Sequence, residues 1–263
     1  MTTTAGRLAG RRALVTGAGR GIGRATALAM VAAGARVAIC SRSAPELDAV
    51  AGEIAAAGGT ALPLPADLMS RPALQAAVAR LTEAWGGVDL LIHAAGDAVS
   101  APLARTTDEI WDRLMAVNVT AAFHLDRALA PGMAERGWGR IVSISSTAGR
   151  AGFPYVSAYT ASKHALVGLT RALAAELAIR GITVNAVCPG YVNTEMTRRT
   201  IETIVRTTGR TPEQALEALL AASPQKRLIE PGEVAAVVVF LCGEEARGIN
   251  GQAIVLDGGG LQR

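Results

Sequence analysis

The length, composition and charge of the chain exclude several classes of protein. Half of its 263 residues are hydrophobic and 3% are aromatic, which favours one α/β domain of closely packed helices and buried parallel strands. The formal net charge of +4 is small, and the Lys and Arg residues are scattered along the chain. Binding to nucleic acid or to a membrane surface is therefore not expected.

The N-terminal residues and the cysteines predict the compartment. The chain begins without the apolar segment of a signal peptide, and no run of about 18 uncharged apolar residues follows. Cys40, Cys188 and Cys242 lie in separate apolar runs, as expected of buried thiols in a reducing compartment. We therefore expect a cytoplasmic protein with residues 1–263 in a single domain.

A glycine-rich turn follows the first predicted strand, residues 12–16. The turn contains Gly17, Arg20, Gly21, Ile22 and Gly23. Its glycines have the spacing Gly-x-x-x-Gly-x-Gly, and an Ala-rich helix follows to residue 33. Glycines let the main chain approach a pyrophosphate, which the N–H groups and the helix N-terminus would bind. The alternative is a tight strand-to-helix connection without a ligand.

The end of the second predicted strand, residues 36–40, indicates which cofactor is bound. The strand runs into Ser41 and Arg42. An acidic residue here would bind the ribose hydroxyls of NAD, whereas a small hydroxyl and a guanidinium suit the 2′-phosphate of NADP. Arg20 could reach the same phosphate. Two cations without a carboxylate favour NADP(H); the alternative is that Arg42 is a solvated loop residue.

Helices and strands then alternate along the chain. Helices are predicted over 45–57 and 71–85, and strands over 61–65 and 88–93. Short loops between them indicate right-handed βαβ units in a parallel sheet. Asp67, just after the third strand, is placed either to accept a hydrogen bond from an adenine amino group or to cap the next helix.

Residues 107–135 predict one long amphipathic helix with Thr107 as its N-cap. Asn118 lies within it among apolar residues and is either a buried, hydrogen-bonded amide or a local perturbation of the helix. A strand over 140–144 follows and leads to Ser146.

Tyr159 and Lys163 are four residues apart in a helix predicted to extend to residue 180. This spacing is about one helical turn, so both side chains leave the same face. A lysine beside a phenol lowers the tyrosine pKa toward neutrality, as a proton donor to a reacting oxygen requires. The pair by itself also occurs on ordinary solvated helices.

The C-terminal part contains the least regular segment. A strand over 182–187 runs into Pro189 and Gly190. Residues 191–226, with a short helix after Thr211, then suggest a mobile substrate lid. A helix over 231–241 and a strand over 253–256 follow.

Taken together, these segments resemble the short-chain dehydrogenase/reductase family over about residues 8–260. The resemblance includes the glycine turn, the Asn118 helix, residues 185–190, and Ser146 placed thirteen residues before Tyr159. It implies a doubly wound, Rossmann-type parallel sheet of about seven strands with helices on both faces. It also implies NADP(H) as cofactor and a homotetramer.

The resemblance implies a role for each matching residue. Tyr159 would be the general acid in reduction, Lys163 would tune it and hold the nicotinamide ribose, and Ser146 would bind the substrate oxygen. Asn118 would help to hold a water in a proton relay. The implied NADP(H)-binding positions are Gly17, Arg20, Gly21, Ile22, Gly23, Ser41, Arg42, Asp67, Leu68, Ala95, Gly96, Tyr159, Lys163, Pro189, Gly190, Val192 and Thr194.

One segment departs from the family pattern. After the fourth strand the family usually has Asn-Asn-Ala-Gly, whereas this chain has His93, Ala94, Ala95 and Gly96. His93 either supplies a substitute hydrogen bond for the lost amides or is a structural histidine with its own partner. A similar run occurs among polyketide-type ketoreductases.

The resemblance also suggests a substrate. We expect NADPH-dependent reduction of a ketone, with a 3-oxoacyl thioester or polyketide-type β-keto group first, on a carrier protein or coenzyme A. Arg180 fits a basic patch toward an acidic carrier protein. The residues expected to wall and cover the pocket are Phe153, Pro154, Tyr155 and 196–200. The alternatives are a non-thioester ketone or alcohol, or a non-catalytic NADP(H)-binding sensor.

The chain lacks the sequence motifs of zinc enzymes and of serine hydrolases. It has three histidines and lacks His-Glu-x-x-His and Cys-x-x-Cys, so no metal site is expected. The Gly-x-Ser-x-Gly of serine hydrolases is also absent.

Overall fold

The computed structural model describes residues 6–221 and 223–262. Seven parallel strands form one sheet in the order β3-β2-β1-β4-β5-β6-β7. The strands are β1 Arg12–Thr16, β2 Arg36–Ser41, β3 Ala61–Pro65, β4 Leu90–His93, β5 Gly139–Ile144, β6 Ile182–Pro189 and β7 Ala253–Leu256. This confirms the expected doubly wound parallel sheet. The single-domain prediction covers residues 1–263, of which 1–5, 222 and 263 lie outside the described residues.

Nine α-helices occur in the described part of the chain. They are α1 Gly21–Ala32, α2 Ala44–Ala56, α3 Arg71–Trp85, α4 Asp108–Met115, α5 Ala121–Glu135, α6 Ser157–Leu177, α7 Glu195–Thr208, α8 Pro212–Leu220 and α9 Pro231–Cys242. None of the described helices is long and apolar enough to span a membrane.

Two hydrophobic cores cover the two faces of the sheet. Successive strand residues point to opposite faces, so Leu14 packs into one core and Val15 into the other. Helices α1, α2 and α9 contribute to the core that contains Val15, and α3, α5 and α6 to the core that contains Leu14. Every residue of β5 and β6 is buried, as expected of central parallel strands covered on both sides.

The strand order places a crevice between β1 and β4. The chain builds β1, β2 and β3 outward in one direction, then returns to pair β4 with the other side of β1. Ligands of open α/β sheets bind at this reversal, outside the carboxyl ends of the strands. A ligand site is therefore expected just beyond the ends of β1 and β4.

Residues 191–226 are more regular than predicted. The short helix predicted after Thr211 is present as α8, which begins with a capping box between Thr211 and Gln214, but α7, fourteen residues long, was not predicted. The threonines that lowered the predicted helicity bond within the helix, because the hydroxyls of Thr200 and Thr203 donate to main-chain carbonyls four residues earlier.

The long helix predicted over 107–135 is interrupted. Thr107 caps α4 as predicted, since its hydroxyl accepts the N–H of Ile110 at 3.4 Å. A π-helical turn, Ala116–Thr120, then separates α4 from α5 and contains Asn118. Such turns are frequent at functional sites.

Candidate active site

A cavity of about 790 Å³ opens at the carboxyl ends of the strands that flank the crevice. Of the residues predicted to bind cofactor, those that line it are Gly17, Arg20, Gly21, Ile22, Gly23, Ser41, Arg42, Asp67, Leu68, Ala95, Gly96 and Thr194. Those outside its lining are Tyr159, Lys163, Pro189, Gly190 and Val192. Pro189 ends β6, and Gly190 and Val192 lie just after it, where Val192 is buried.

The glycine turn is shaped for close approach of the main chain. Gly17 has φ +65°, and a Cβ there would lie 2.7 Å from the Cα of Ala95. Only glycine therefore lets the ends of β1 and β4 come this close. Helix α1 begins just after Arg20 without a side-chain cap, so its first N–H groups are available to an anion. The turn fits the diphosphate of a dinucleotide.

Both predicted cations line the cavity. Arg20 and Arg42 line it with Ser41. Asp67 accepts the N–H of Met69 at 3.0 Å, while Ser70, not Asp67, caps α3. Of the two interpretations of Asp67, helix capping is therefore wrong, and its place in the cavity agrees with adenine binding.

Ser146 and Tyr159 come together beside the cavity. Ser146 begins a short 3-10 helix after β5 and accepts the N–H of Ala148 at 3.1 Å. Tyr159 lies in the first turn of α6, and its hydroxyl interacts with the Ser146 side chain. The fold thus brings these two predicted catalytic residues together.

Lys163 is buried one turn further along α6. Its Nζ donates to the main-chain oxygen of Ile144 at 2.9 Å and lies 5.7 Å from the ring centroid of Tyr159. The Ser145 hydroxyl donates to the main-chain oxygen of Lys163 at 3.2 Å. These bonds fix α6 to the end of β5. A Cβ at Gly96 would come within 3.4 Å of Nζ, so the lysine lies directly behind the cavity wall.

The pKa values of this pair differ from the sequence-based expectation. Burial raises the pKa of Tyr159 to about 12, although the hydrogen bond from Ser146 opposes the shift. Burial lowers the pKa of Lys163 to about 8. The predicted net shift of the tyrosine pKa toward neutrality is therefore wrong for this structure, because desolvation disfavours the charged form of both groups.

Asn118 is a buried amide and also lies in the helix perturbation, so both interpretations of it hold. Its Oδ1 accepts the N–H of Asp97 at 3.0 Å. Its Nδ2 donates to the oxygen of Asp97 and to Oγ of Ser162, each at 3.0 Å. Ser162 in turn donates to the main-chain oxygen of Tyr159 at 2.7 Å. The amide thereby connects the loop after β4 to the helix that carries Tyr159.

His93 is a structural histidine. Its Nε2 lies 2.7 Å from Oδ1 of Asp126 in α5, and both side chains are buried. His93 does not line the cavity. It therefore ties β4 to α5. The other interpretation, that His93 replaces the lost amides with a hydrogen bond of its own at the cofactor site, is not supported.

Several cavity residues were missed by sequence reasoning. Glu46 enters from α2, Asp97 from the loop after β4 and Arg113 from α4, whereas Arg199 of α7 belongs to the predicted covering segment 196–200. The Asp97 carboxylate forms ion pairs with Arg113 and, at 3.6 Å, with Arg199. The only signal for Asp97 is that it directly follows Gly96. Glu46 and Arg113 lie on helices, and the sequence did not show which face of each helix is turned toward the cavity.

The predicted pocket-wall residues and the predicted basic contact lie elsewhere. Phe153, Pro154 and Tyr155 are exposed and do not line the cavity. Arg180 is exposed just before β6 begins. Because the cavity lies at the carboxyl ends of the strands, Arg180 is at the opposite edge of the sheet.

Within residues 6–221 and 223–262, no group of three His, Cys, Asp or Glu side chains could hold a metal ion.

A glycine turn at a helix N-terminus, a cavity lined by two cations at the strand ends, and a Ser-Tyr-Lys set define a nucleotide-dependent oxidoreductase. The chain belongs to the short-chain dehydrogenase family: the family described as short chain dehydrogenase matches residues 11–204.

Similar proteins agree with this class. A putative ketoacyl reductase of Streptomyces coelicolor is 40% identical over 94% of this chain and 95% of its own length. A D-beta-hydroxybutyrate dehydrogenase of Rhizobium meliloti is 38% identical over 95% of this chain and 98% of its own. The solved structure of actinorhodin polyketide ketoreductase with NADPH is 39% identical, with a TM-score of 0.91 over 97% of this chain and 98% of its own.

These findings identify the enzyme class and the cofactor. The chain is an NADP(H)-dependent oxidoreductase that interconverts a ketone and a secondary alcohol. Its glycine turn and the cations Arg20 and Arg42 fit this cofactor.

Proposed function

We propose that this enzyme reduces the β-keto group of a 3-oxoacyl thioester or a polyketide-type substrate. The observation that carries the proposal is the interacting pair Ser146 and Tyr159, with Lys163 fixed one turn away behind the cavity wall. The similarity to the ketoacyl reductase of Streptomyces coelicolor supports the substrate class.

In this proposal the protein positions the ketone and supplies its proton. NADPH supplies the hydride that adds to the carbonyl carbon. The Ser146 hydroxyl binds the carbonyl oxygen, and Tyr159 donates its proton to that oxygen as negative charge develops there. The products are the secondary alcohol and a Tyr159 phenolate, which must then regain a proton.

Lys163 stabilises the phenolate in this step. With a tyrosine pKa of about 12, proton donation is costly unless a cation lies close by. An ammonium has three N–H donors, of which Ile144 uses one. The others are left for a ribose hydroxyl and a water. Asn118 uses both amide hydrogens on Asp97 and Ser162, so its role is to hold the loop and α6 in register.

The segment 191–226 is the substrate lid in this proposal. Met196 and Arg199 of α7 line the cavity. Thr197 anchors the start of the helix by donating to the oxygen of Val192 at 2.6 Å. Ile201, Ile204 and Val205 are only half-buried, so the apolar side of α7 is free to cover an apolar substrate.

A non-thioester hydroxy or keto acid is the second candidate. The specific observation in its favour is the similarity to a D-beta-hydroxybutyrate dehydrogenase at 38% identity. The position of Arg180 at the opposite sheet edge gives no support to the carrier-protein contact expected for it. The homotetramer and the cytoplasmic location stay predictions.

A substrate panel tests the proposal. We expect NADPH oxidation with acetoacetyl-CoA and β-ketoesters, and slower turnover with acetoacetate. Tyr159→Phe should lower kcat by roughly 10²- to 10⁴-fold, because it removes the general acid, while the dissociation constant for NADPH stays within about twofold. Faster turnover of acetoacetate than of any thioester would favour the hydroxy-acid candidate. Tight NADPH binding without turnover of any ketone would contradict both.

A further inference from the structure

Glu46 places a carboxylate at the adenosine end of the cavity. It lines the cavity together with Arg20, Ser41 and Arg42. A Cβ on Gly19 would lie 2.6 Å from its Oε2 and 3.1 Å from Oγ of Ser41. Its Oε1 is 3.7 Å from Nη1 of Arg20. The sequence-based prediction of two cations without a carboxylate is therefore incomplete.

The direction of the Glu46 side chain is not explained by helix capping. Ser43 caps α2 and accepts the N–H of Glu46 at 3.3 Å. In a capping box, the glutamate side chain would return a hydrogen bond to the N–H of the cap residue. Such reciprocal bonds are present at α8 and α9. In α2 the carboxylate is directed instead at Arg20 and the glycine turn.

The charge of Glu46 opposes a 2′-phosphate. A phosphate monoester carries between about −1.5 and −2 charges near neutral pH, and a nearby like charge disfavours it. Glu46 also neutralises part of the charge of Arg20, one of the two cations that would bind the phosphate. A ribose 2′-hydroxyl, by contrast, is a hydrogen-bond donor that a carboxylate accepts well.

We infer that Glu46 is a cofactor-specificity residue that weakens the preference of this enzyme for NADPH over NADH. The inference rests on the proposed adenosine site at Arg20, Ser41 and Arg42, and it is independent of which ketone is reduced. Glu46 and Arg20 are 39% and 57% exposed at their side chains, so solvent screens the repulsion and limits its size.

Equilibrium binding of both cofactors tests this inference without any substrate. Glu46→Gln should lower the dissociation constant for NADPH roughly three- to tenfold, the effect of one partly screened like charge. The dissociation constant for NADH should stay the same or rise. Adenosine 2′,5′-bisphosphate and 5′-AMP, which differ only in the 2′-phosphate, should show the same contrast, and the gain should shrink at high salt.

Glu53→Gln is the matched control. Glu53 is also in α2, is similarly exposed and pairs with Arg24 of α1, but it does not line the cavity. It should leave the ratio of the two dissociation constants unchanged. Equal effects of Glu46→Gln on NADPH and NADH, or the same change in ratio with Glu53→Gln, would overturn the inference. Thermal unfolding of each variant checks that it is folded.

Discussion

Nε2 of His93 lies 2.7 Å from Oδ1 of Asp126, and the two buried side chains join the end of β4 to the middle of α5. Ala94, the residue directly after His93, lines the cavity. A buried polar pair therefore fixes the strand from which one wall of the cofactor site extends, without contacting the cofactor site itself.

Breaking this pair should cost stability. His93→Ala leaves a buried carboxyl group without its partner, and we expect the free energy of unfolding to fall by about 2–4 kcal/mol. Urea unfolding followed by circular dichroism measures it. Asp126→Asn, which keeps a hydrogen-bonding group, should cost less.

The exposed His164 in α6 provides the control. His164→Ala should change the free energy of unfolding by less than about 0.5 kcal/mol. If His93→Ala weakened NADPH binding at unchanged stability, the structural interpretation of His93 would be wrong.

The buried ammonium of Lys163 should make stability depend on pH. Its pKa is lowered from 10.5 to about 8 by burial. Below pH 8 the lysine is protonated in the folded and unfolded states, so the cost of burying the charge is fully present. Between about pH 8 and 10.5 the folded state loses its proton first, and stability rises with pH.

Comparison with Lys163→Met isolates this effect from other titrating groups. The stability of the variant relative to wild type should be about 2–3 kcal/mol higher at pH 7 than at pH 10. Denaturant unfolding at both pH values measures the difference, and Lys226→Met controls for loss of one positive charge at an exposed site. A relative stability that does not change with pH would show that the buried ammonium carries no such cost.

The ion pair between Asp97 and Arg199 should hold α7, the proposed lid helix, against the loop after β4. Both residues line the cavity, and Nη2 of Arg199 lies 3.6 Å from Oδ1 of Asp97. Asp97→Asn removes the charge that also holds Arg113. We expect a two- to fivefold higher dissociation constant for NADPH, roughly the contribution of one or two exposed ion pairs.

Limited trypsin digestion gives a second readout for this pair. Cleavage after Arg198 and Arg199 should be faster in Asp97→Asn than in wild type, because α7 is less firmly held. Asp112→Asn, on the exposed side of α4, is the control. Unchanged cleavage with unchanged NADPH affinity would mean that the pair does not hold the lid.

Local patterns determined most of the sheet and part of the site. The bounds of β1, β3, α3 and β7 agree with the predicted ones, because apolar runs bounded by turn residues specify short buried elements. The glycine spacing around Gly17 and the single helical turn from Tyr159 to Lys163 were also readable, because each depends on residues close together in the chain.

The tertiary structure decided what depends on distant segments. Glu46 meets Arg20, and Asp97 meets Arg113 and Arg199, only when five separate segments converge on the crevice. The helicity of α7 and the π turn at Asn118 likewise depend on packing that outweighs weak local preferences. The pKa values of Tyr159 and Lys163 follow burial rather than spacing. Desolvation and long-range charge are properties of the folded protein, so sequence spacing alone does not report them.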